Sequence, residues 1–298
     1  MKIIIGTRGS RLALAQAEFV QKRLTHAYPE DEFLLKVIKT TGDRIQDVPL
    51  DKIGDKGVFV REIEKELMAQ SIDMAVHSMK DMPCELPEGL CFAKAWKRED
   101  ARDVLVLNTA DNLAHLKDHA VIGTGSKRRA YQLQMLRKDL QIVNIRGNVE
   151  TRIEKMYSEN LDGIVLAAAG LKRLGKEELI TQYLEQKELI PAAAQGQLAI
   201  EMRLDNAGLL AKVNVFADKD AERVSQTERL FLQKTGGGCH MPVGAYARIL
   251  KDEKIELLAF FGSEDGGRQV KCRVTADTPE EAARLAAEEC LSQVDGRN

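Results

Sequence analysis

Residues 72–83 read Ile72-Asp73-Met74-Ala75-Val76-His77-Ser78-Met79-Lys80-Asp81-Met82-Pro83, a short apolar run that turns abruptly polar. This pattern predicts a buried strand that ends in a loop. The predicted loop presents four kinds of polar side chain: His77, Ser78, Lys80 and Asp81. In open α/β sheets, ligands bind just past the carboxyl ends of strands, so the loop is a candidate site. From the loop alone, a solvated turn ended by Pro83 is an equally good interpretation.

The segments before this stretch predict alternating strands and helices. In 58–70, apolar residues recur at i, i+3 and i+7, as on the buried face of a helix. At the start of the chain, a strand over 2–6, a helix capped by Ser10 and a strand over 33–39 form a βαβ unit. This order indicates an α/β fold with a parallel sheet.

A second α/β block follows, and the end of the chain differs in character. Strands are predicted at 103–107, 121–123, 141–145 and 163–168, with helices between them. After residue 218 come a charged helix that stops at three glycines, three strands with short connections, and a last helix opened by a capping box at Thr278. The three strands, over 243–249, 255–261 and 269–276, predict a small α+β domain with an antiparallel sheet.

Composition limits the classes of protein that the chain could be. It has 298 residues, 44% hydrophobic and 30% charged, with a formal net charge of −2. This balance gives no global attraction to nucleic acid or membrane. The first residues lack the apolar core of a signal peptide and no stretch approaches a membrane span, so we expect a cytoplasmic protein. Five scattered cysteines make a disulfide framework an unfavourable interpretation.

Basic residues cluster where predicted strands end and where a predicted helix begins. Lys127, Arg128 and Arg129 would occupy the first turn of a helix, where the helix dipole makes cations mildly unfavourable. A bound anion would offset that charge, and guanidinium groups suit bidentate binding of carboxylates. Any one of these arginines could be an ordinary surface residue. As a set they predict a polyanionic ligand in a cleft lined by Arg8, Arg128, Arg129, Arg146 and Arg173, with Arg152 and Lys80.

Other binding motifs are weak or incomplete in this sequence. There is no Walker A sequence, and Gly123-Thr124-Gly125-Ser126 lacks the third glycine of a dinucleotide fingerprint. His115 and His119 lack the glutamate of a zincin motif between them, so we expect no metal site. Cys239 is different, because it follows three glycines and precedes His240. We expect an accessible, reactive or modified thiol there, with a small apolar loop residue as the alternative.

Seven motifs, in the same order, resemble the porphobilinogen deaminase (hydroxymethylbilane synthase) family over essentially the whole chain. They are Gly6-Thr7-Arg8-Gly9-Ser10-Arg11-Leu12-Ala13, Gly54-Asp55-Lys56-Gly57-Val58-Phe59, Val76-His77-Ser78-Met79-Lys80-Asp81-Met82-Pro83, Gly125-Ser126-Lys127-Arg128-Arg129, Ile145-Arg146-Gly147-Asn148-Val149 with Arg152, Gly170-Leu171-Lys172-Arg173-Leu174-Gly175, and Gly237-Gly238-Cys239-His240-Met241-Pro242-Val243-Gly244.

The resemblance implies a transferase of tetrapyrrole (haem) biosynthesis. Such an enzyme joins four porphobilinogen molecules head to tail, releases ammonia, and frees linear hydroxymethylbilane with water. It implies a dipyrromethane cofactor, built from two substrate units and attached by a thioether to Cys239, and a catalytic aspartate at Asp81. The implied cofactor-binding residues are Lys80, Ser126, Arg128, Arg129 and Arg146. The implied substrate-binding residues are Arg8, Ser10, Gln16, Arg146, Arg152, Arg173 and Lys56.

The chemistry of the residues agrees with this implied reaction. Porphobilinogen carries acetate and propionate groups, so the growing chain is polyanionic and a set of arginines is a suitable receptor. Deamination generates a cationic azafulvene-type electrophile. A carboxylate such as Asp81 can assist proton transfer and stabilise the developing pyrrole cation. A thiolate at Cys239 is a suitable nucleophile for the first attachment.

The resemblance also implies an architecture. It has two similar α/β domains of the type II periplasmic-binding-protein kind and a third domain that carries the cysteine loop. We expect domain 1 at 1–97 with 196–215, domain 2 at 98–195 and domain 3 at 216–298, with a hinge at 191–196 and a lid at 40–56. One departure is Ala194-Gln195-Gly196-Gln197, where the family usually has Gly-Gln-Gly followed by small residues.

Two other functions compete with this enzyme. A cytoplasmic polycarboxylate-binding protein without catalysis would also use two domains and arginines, but it requires neither Asp81 beside Lys80 nor the glycine-flanked Cys239. A nucleic-acid-binding protein would use the basic helix, but aromatic residues are only 5% of the chain and no domain has a basic excess. We therefore expect porphobilinogen as the ligand, no nucleic-acid or membrane partner, and a monomer.

Overall fold

The computed structural model describes residues 1–41, 60–236 and 241–295. The first elements are β1 (Lys2–Thr7), α1 (Arg11–Ala27), β2 (Glu32–Val37), α2 (Arg61–Met68), β3 (Met74–Ser78) and β4 (Leu90–Phe92). The middle of the chain forms β5 (Asp103–Leu107), β6 (Val121–Gly123), α3 (Lys127–Leu136), β7 (Gln141–Val143), α4 (Val149–Ser158), β8 (Gly163–Ala167), α5 (Ala168–Arg173) and β9 (Gln182–Tyr183). The last elements are β10 (Leu198–Arg203), α6 (Ala207–Asn214), α7 (Lys219–Lys234), β11 (Val243–Ile249), β12 (Ile255–Gly262), β13 (Gln269–Ala276) and α8 (Pro279–Asp295).

The chain divides into two compact units, each made of two separate segments. The first unit comprises Met1–Arg98 and Gln197–Glu222, and the second comprises Glu99–Gly196 and Arg223–Asn298. The chain therefore leaves the first unit after Arg98 and returns to it at Gln197. The finer division into three domains stays a prediction.

Two five-stranded sheets, one in each unit, have the same arrangement. In the first unit the strand order is β2-β1-β3-β10-β4, and in the second it is β7-β6-β8-β5-β9. In each sheet the first three strands are parallel and the fourth runs antiparallel to both of its neighbours. The predicted pair of similar α/β sheets is confirmed.

Helix α1 shows how the sequence pattern builds the first unit. Ser10 caps it by accepting a hydrogen bond from the Ala13 N–H, as predicted. The buried face of the helix carries Ala17, Val20 and Leu24, which pack with apolar residues of β1, β3 and β10. On the opposite face of the sheet, Ile63 and Leu67 of α2 fill a separate core.

The second unit also contains a three-stranded antiparallel sheet, in the order β11-β12-β13. It shares one core with α7 and α8, whose buried members include Phe231 of α7 and Ala283 of α8. This sheet confirms the predicted C-terminal α+β region. Within the described part of the chain, no helix is both long enough and apolar enough to cross a membrane.

Some local predictions were wrong. His77 and Ser78 belong to β3 rather than to the loop after it. The strand predicted over 163–168 ends at Ala167, and Ala168 begins the short helix α5. Three short elements, β4, β9 and α6, were not predicted. Most of the expected lid, 42–56, lies outside the described residues.

Candidate active site

The turn after β3 presents the predicted catalytic aspartate. Residues 79–81 form a single 3-10 turn, closed by a hydrogen bond of 3.1 Å from the Met82 N–H to the Met79 carbonyl. The Met79 N–H also donates to the Gln197 carbonyl at 3.0 Å, which ties the turn to the segment entering β10. Met79 is buried, whereas Asp81 is exposed. The anchored backbone holds Asp81 in place while its carboxylate stays accessible, as a residue that acts on a substrate requires.

The two faces of β3 carry polar pairs just before this turn. On one face, the Gln16 amide of α1 donates to the Ser78 hydroxyl at 2.9 Å. On the other face, the His77 Nε2 lies 3.1 Å from an Oε2 of Glu201 on β10. His77 is buried, so it is not displayed in the loop as the sequence had suggested. Gln16 is buried as well, and its amide bonds to Ser78 rather than to solvent.

Other predicted groups of the first unit lie after β1. Arg8 and Ser10 follow the strand and are partly buried, as is Lys80 in the turn after β3. β1 and β3 are parallel neighbours, so their carboxyl ends lie at the same edge of the sheet. The sheet therefore brings Arg8 and the Lys80–Asp81 turn to one edge, as the sequence predicted.

In the second unit, the first turn of α3 is neutralised from within the chain. Arg128 Nη1 donates to Asp103 at 2.7 Å and to the Ile190 carbonyl at 2.8 Å. Arg129 donates to Asp103 through Nε at 3.0 Å and Nη2 at 2.7 Å, and to the Val165 carbonyl. All three charged side chains are buried. The sequence suggested that a bound ligand would offset the two arginines, but Asp103 is the nearest anion.

Asp103 is held in its charged form by these partners. Burial alone would raise the pKa of its carboxyl, but the charges of Arg128 and Arg129 and hydrogen bonds from Arg128 and Gln195 bring the pKa well below its usual range. Burial lowers the pKa of Arg128, against the attraction of Asp103. Within the described residues, Arg128 is bonded only through Nη1, so its Nε and Nη2 donors can serve another acceptor.

Arg173 differs from the two arginines of α3, because no carboxylate contacts it in the described part of the chain. Its Nη2 donates to the Gly196 carbonyl at 2.7 Å. Burial lowers the pKa of Arg173 to about 10, and the charge of Glu99 partly opposes this. The guanidinium is still charged at neutral pH, so it is a desolvated cation with donors to spare. Such a group is suited to an anionic ligand.

The remaining predicted binding residues, Ser126, Arg146 and Arg152, lie at or near the starts of α3 and α4. Ser126 caps α3, where its hydroxyl accepts from the Arg129 N–H at 3.4 Å. Arg146 is partly buried and precedes Gly147, whose carbonyl accepts from Arg152 Nε at 2.9 Å. Of the predicted binding residues that the structure describes, Arg8 and Lys80 belong to the first unit, and Arg128, Arg129, Arg146, Arg152 and Arg173 belong to the second. Their convergence on one cleft stays a prediction.

Two predicted site residues, Lys56 and Cys239, lie outside the described residues. Conversely, sequence reasoning missed four buried polar residues that support the site: Asp103, Gln195, Gln197 and Glu201. Asp103 had a recognisable signal, a charge at the start of the apolar run Val104–Leu107. No group of three or more His, Cys, Asp or Glu in the described part could hold a metal ion.

Family models match both parts of this chain. One described as "Porphobilinogen deaminase, dipyromethane cofactor binding domain" matches residues 3–211, and one described as "Porphobilinogen deaminase, C-terminal domain" matches residues 223–292. The chain belongs to the porphobilinogen deaminase family. The resemblance noted in the sequence is thereby confirmed, and the first description confirms dipyrromethane as the cofactor of the family's matching domain.

Individual porphobilinogen deaminases are similar over nearly their full length. That of Lachnospira eligens is 55% identical over 287 residues, covering 94% of this chain and 97% of the relative. That of Clostridioides difficile is 51% identical over 278 residues, covering 93% and 92%. Among solved structures, the methionine-binding protein MetQ aligns with a TM-score of 0.46 at 12% identity, covering 76% of this chain and 94% of its own.

The described residues fit a cofactor rich in carboxylates. The unused donors of Arg128 and the desolvated Arg173 are cationic groups with hydrogen-bonding capacity left in their own unit. The first turn of α3 adds the backbone N–H groups of a helix N-terminus. A porphobilinogen deaminase needs such cations, because its cofactor and substrate carry acetate and propionate groups.

Proposed function

We propose that this chain catalyses the porphobilinogen deaminase reaction, as a hydroxymethylbilane synthase. Four porphobilinogen molecules are joined head to tail, four ammonia molecules leave, and water releases linear hydroxymethylbilane. The single observation that carries the proposal is the exposed Asp81 on an anchored turn at the carboxyl end of β3, in a chain that matches the family along both segments. A polycarboxylate-binding protein without catalysis has no need of that carboxylate.

Asp81 serves as the group that handles protons and charge. Its carboxylate can stabilise the positive charge that develops on a pyrrole ring and can exchange a proton with the ring nitrogen. Lys80, the preceding residue, is partly buried and can bind a carboxylate of the substrate. Placing the cation beside Asp81 keeps the acidic side chains of the substrate away from the catalytic carboxylate.

The arginines hold the anionic chain. Arg173 and the unused donors of Arg128 bind acetate or propionate groups through charge-assisted hydrogen bonds. Arg8, Arg146 and Arg152 extend the set, with Ser10 and Ser126 as hydroxyl donors and Lys56 and Gln16 as further positions. Dipyrromethane, when bound through Cys239, supplies the pyrrole to which the first substrate unit is added.

The test is the mass of the denatured, purified protein, compared with a Cys239→Ser variant. We expect an excess mass equal to two linked pyrrole units in the wild type and none in the variant. Cys84→Ser is the matched control, because Cys84 is a partly buried cysteine that the proposal does not use, and this variant should keep the excess mass.

Incubation with porphobilinogen separates the enzyme from a binding protein. The enzyme should gain further pyrrole units on Cys239 and release hydroxymethylbilane and ammonia. An Asp81→Asn variant should keep the two-pyrrole mass and lose at least about a hundredfold in turnover, the usual scale for a proton-transferring group. A wild-type protein that binds porphobilinogen without ever gaining mass would contradict the proposal.

The localisation, oligomeric state and partners of the protein are part of the same proposal. We infer a cytoplasmic monomer that acts on free small molecules and has no nucleic-acid or membrane partner. The balanced charge of −2 supports this inference. Sedimentation of the loaded protein as a single 33.2 kDa species would agree with it, and a stable dimer would contradict it.

A further inference from the structure

A buried ionisable pair lies directly behind the turn that carries Asp81. His77 Nε2 and Glu201 Oε2 are 3.1 Å apart, and their side chains are 5% and 0% exposed. His77 is the fourth residue before Asp81, on β3. Glu201 is on β10, whose pairing sets Ala199 opposite His77 and Leu198 opposite Ser78. The pair therefore joins the last residues of β3 to the strand beside it.

The charge of Glu201 disfavours negative charge on the groups around it. Burial, and then the charge of Glu201, raise the pKa of Glu64 on α2, while His77 and Arg61 act in the opposite direction. Burial, and then the charge of Glu201, also raise the pKa of Cys91 on β4. Glu201 Oε1 is buried without a hydrogen-bond partner among the described residues.

Stability alone does not account for such a pair. Two buried ionisable groups cost desolvation free energy, and apolar residues of similar volume are often as stable or more stable. The surrounding residues of this face, such as Ile63, Leu67 and Ala75, form an apolar core that could accommodate them. The hydrogen bond between His77 and Glu201 is better explained by its effect on geometry, because it fixes the position of the end of β3.

We propose that His77 and Glu201 are positioning residues for the Lys80–Asp81 turn, and that they act through their mutual hydrogen bond. β10 already anchors the turn at one point, because the Gln197 carbonyl accepts from the Met79 N–H. The side-chain bond between His77 and Glu201 adds a second tie between the same two strands. Together the two ties fix where β3 ends and therefore where the Asp81 carboxylate stands.

This inference rests on the proposed function, since a positioned Asp81 matters only if Asp81 acts on the substrate. The opposite face supports the same interpretation. There, the buried Gln16 amide holds Ser78, the next residue of β3. The strand end is thus fixed from both faces of the sheet. Displacement of a catalytic group by about 1 Å can cost up to about a hundredfold in rate, so such fixing is worth its cost in desolvation.

The experiment compares two replacements of Glu201 that have similar length. Glu201→Gln can still accept a hydrogen bond from His77, whereas Glu201→Met cannot. On cofactor-loaded enzyme we expect Glu201→Met to lower kcat about tenfold with KM for porphobilinogen changed less than about threefold. Glu201→Gln should stay within about threefold of the wild-type kcat. The double variant His77→Leu/Glu201→Met should melt at or above the wild-type temperature and be as slow as Glu201→Met.

Asp31→Asn is the matched control. Asp31 is a buried carboxylate of the same unit that pairs with Lys212 and the N-terminal amine, just before β2. Neutralising it should lower the melting temperature and leave kcat per loaded enzyme unchanged. This control separates loss of a buried carboxylate from loss of the His77 contact.

Two outcomes would overturn the inference. One is a Glu201→Met enzyme, or a stable double variant, that keeps the wild-type kcat. The other is equal slowing in Glu201→Gln and Glu201→Met, because the hydrogen bond would then not be the cause. Failure of the proposed function would look different: the wild type itself would show no turnover of porphobilinogen.

Discussion

The two five-stranded sheets have the same strand order, and the antiparallel strand of each carries a buried carboxylate. In the second unit this is Asp103 on β5, and in the first it is Glu201 on β10. Asp103 receives hydrogen bonds from two arginines and from Gln195. In the described residues, the side chain of Glu201 is hydrogen-bonded to His77 through Oε2, and its Oε1 has no partner.

The difference separates a structural charge from a functional one. Asp103 neutralises the first turn of α3 and has hydrogen bonds at both oxygens, so it stabilises the unit in which it lies. Glu201 is incompletely satisfied and lies behind the turn that presents Asp81. Corresponding strands of the two sheets therefore carry carboxylates with different tasks, and the following experiments test that contrast.

The largest effect is expected at Asp103. Asp103→Asn leaves Arg128 and Arg129 buried without their counterion, which typically costs about 3–5 kcal/mol. Urea unfolding, followed by circular dichroism, measures the loss. Many molecules of this variant should be unfolded at 37 °C, since whole domains are stable by only about 5–15 kcal/mol.

Glu256→Gln is the matched control for that variant. Glu256 also lies between two arginines, Arg248 and Arg273, but both of these are more than half exposed. Exposed ion pairs contribute roughly 0.2–1 kcal/mol each, so the expected loss for the two pairs is about 0.4–2 kcal/mol. If Asp103→Asn cost less than Glu256→Gln, Asp103 would not be the structural charge described above.

Acid should reveal the same contrast in the wild type. The folded-state pKa of Asp103 is depressed, so its contribution to stability is complete above its unfolded pKa of about 4 and is lost as the pH falls toward the folded value. The free energy of unfolding should therefore fall between about pH 5 and about pH 2. The free energy of unfolding should depend less steeply on pH in the Asp103→Asn variant. An unchanged dependence would mean that other carboxylates cause the loss of stability in acid.

Arg173 extends the comparison to a partly buried cation. It has a carbonyl partner but no contacting carboxylate in the described part, so its burial is not offset as that of Arg128 is. Arg173→Gln should leave the free energy of unfolding unchanged or raise it by up to about 1 kcal/mol. The same variant should raise KM for porphobilinogen about tenfold, as loss of a charge-assisted hydrogen bond does.

Arg137→Gln is the control for a partly buried arginine with a structural role. Arg137 donates to the carbonyls of Leu113 and Leu116 and pairs with Asp139. Its loss should cost about 2 kcal/mol of stability and leave KM unchanged. A destabilised Arg173→Gln with a normal KM would remove Arg173 from the binding set.

The smallest effect is expected in the segment that leads into β10. Ala194 is fully buried with φ of 57°, and its N–H donates to the buried Glu228 at 2.6 Å. An L-residue in this left-handed region costs roughly 1–2 kcal/mol. Ala194→Gly relieves that strain but loses a buried methyl group and adds chain entropy, so stability should change by less than about 1 kcal/mol.

Ala193→Gly provides the comparison, because Ala193 is buried in the adjacent core without a positive φ. It should lose about 1–2 kcal/mol, from the methyl group and the added entropy together. Equal losses in the two variants would mean that Ala194 is unstrained.

The sequence predicted the long elements and the exposed part of the site well. β5, β6, β11 and β13 have the predicted bounds, because apolar runs between turn residues mark strands clearly. β4 and β9 have only three and two residues, too few for a periodic pattern. The turn with Asp81 was predicted because polar residues follow a buried strand directly.

Partnerships across the chain could not be predicted in this way. Arg128 and Asp103 are 25 residues apart, and His77 and Glu201 are 124 residues apart. No local pattern records that a helix start meets the start of a strand two elements earlier. The sequence therefore identified the cations of α3 but assigned their counterion to a ligand, and it placed His77 in the loop rather than against Glu201.

The return of the chain to the first unit has a consequence for synthesis on the ribosome. The second sheet is built from one continuous stretch, from β5 to β9, and it can close as soon as residue 183 has emerged. The first sheet must wait for β10, which ends at Arg203. Until then the nascent chain has an open edge on β3, a strand otherwise ready to pair. The five-stranded sheet of the N-terminal unit thus closes after the five-stranded sheet that follows it in the chain, and its exposed edge is where aggregation or chaperone binding would begin.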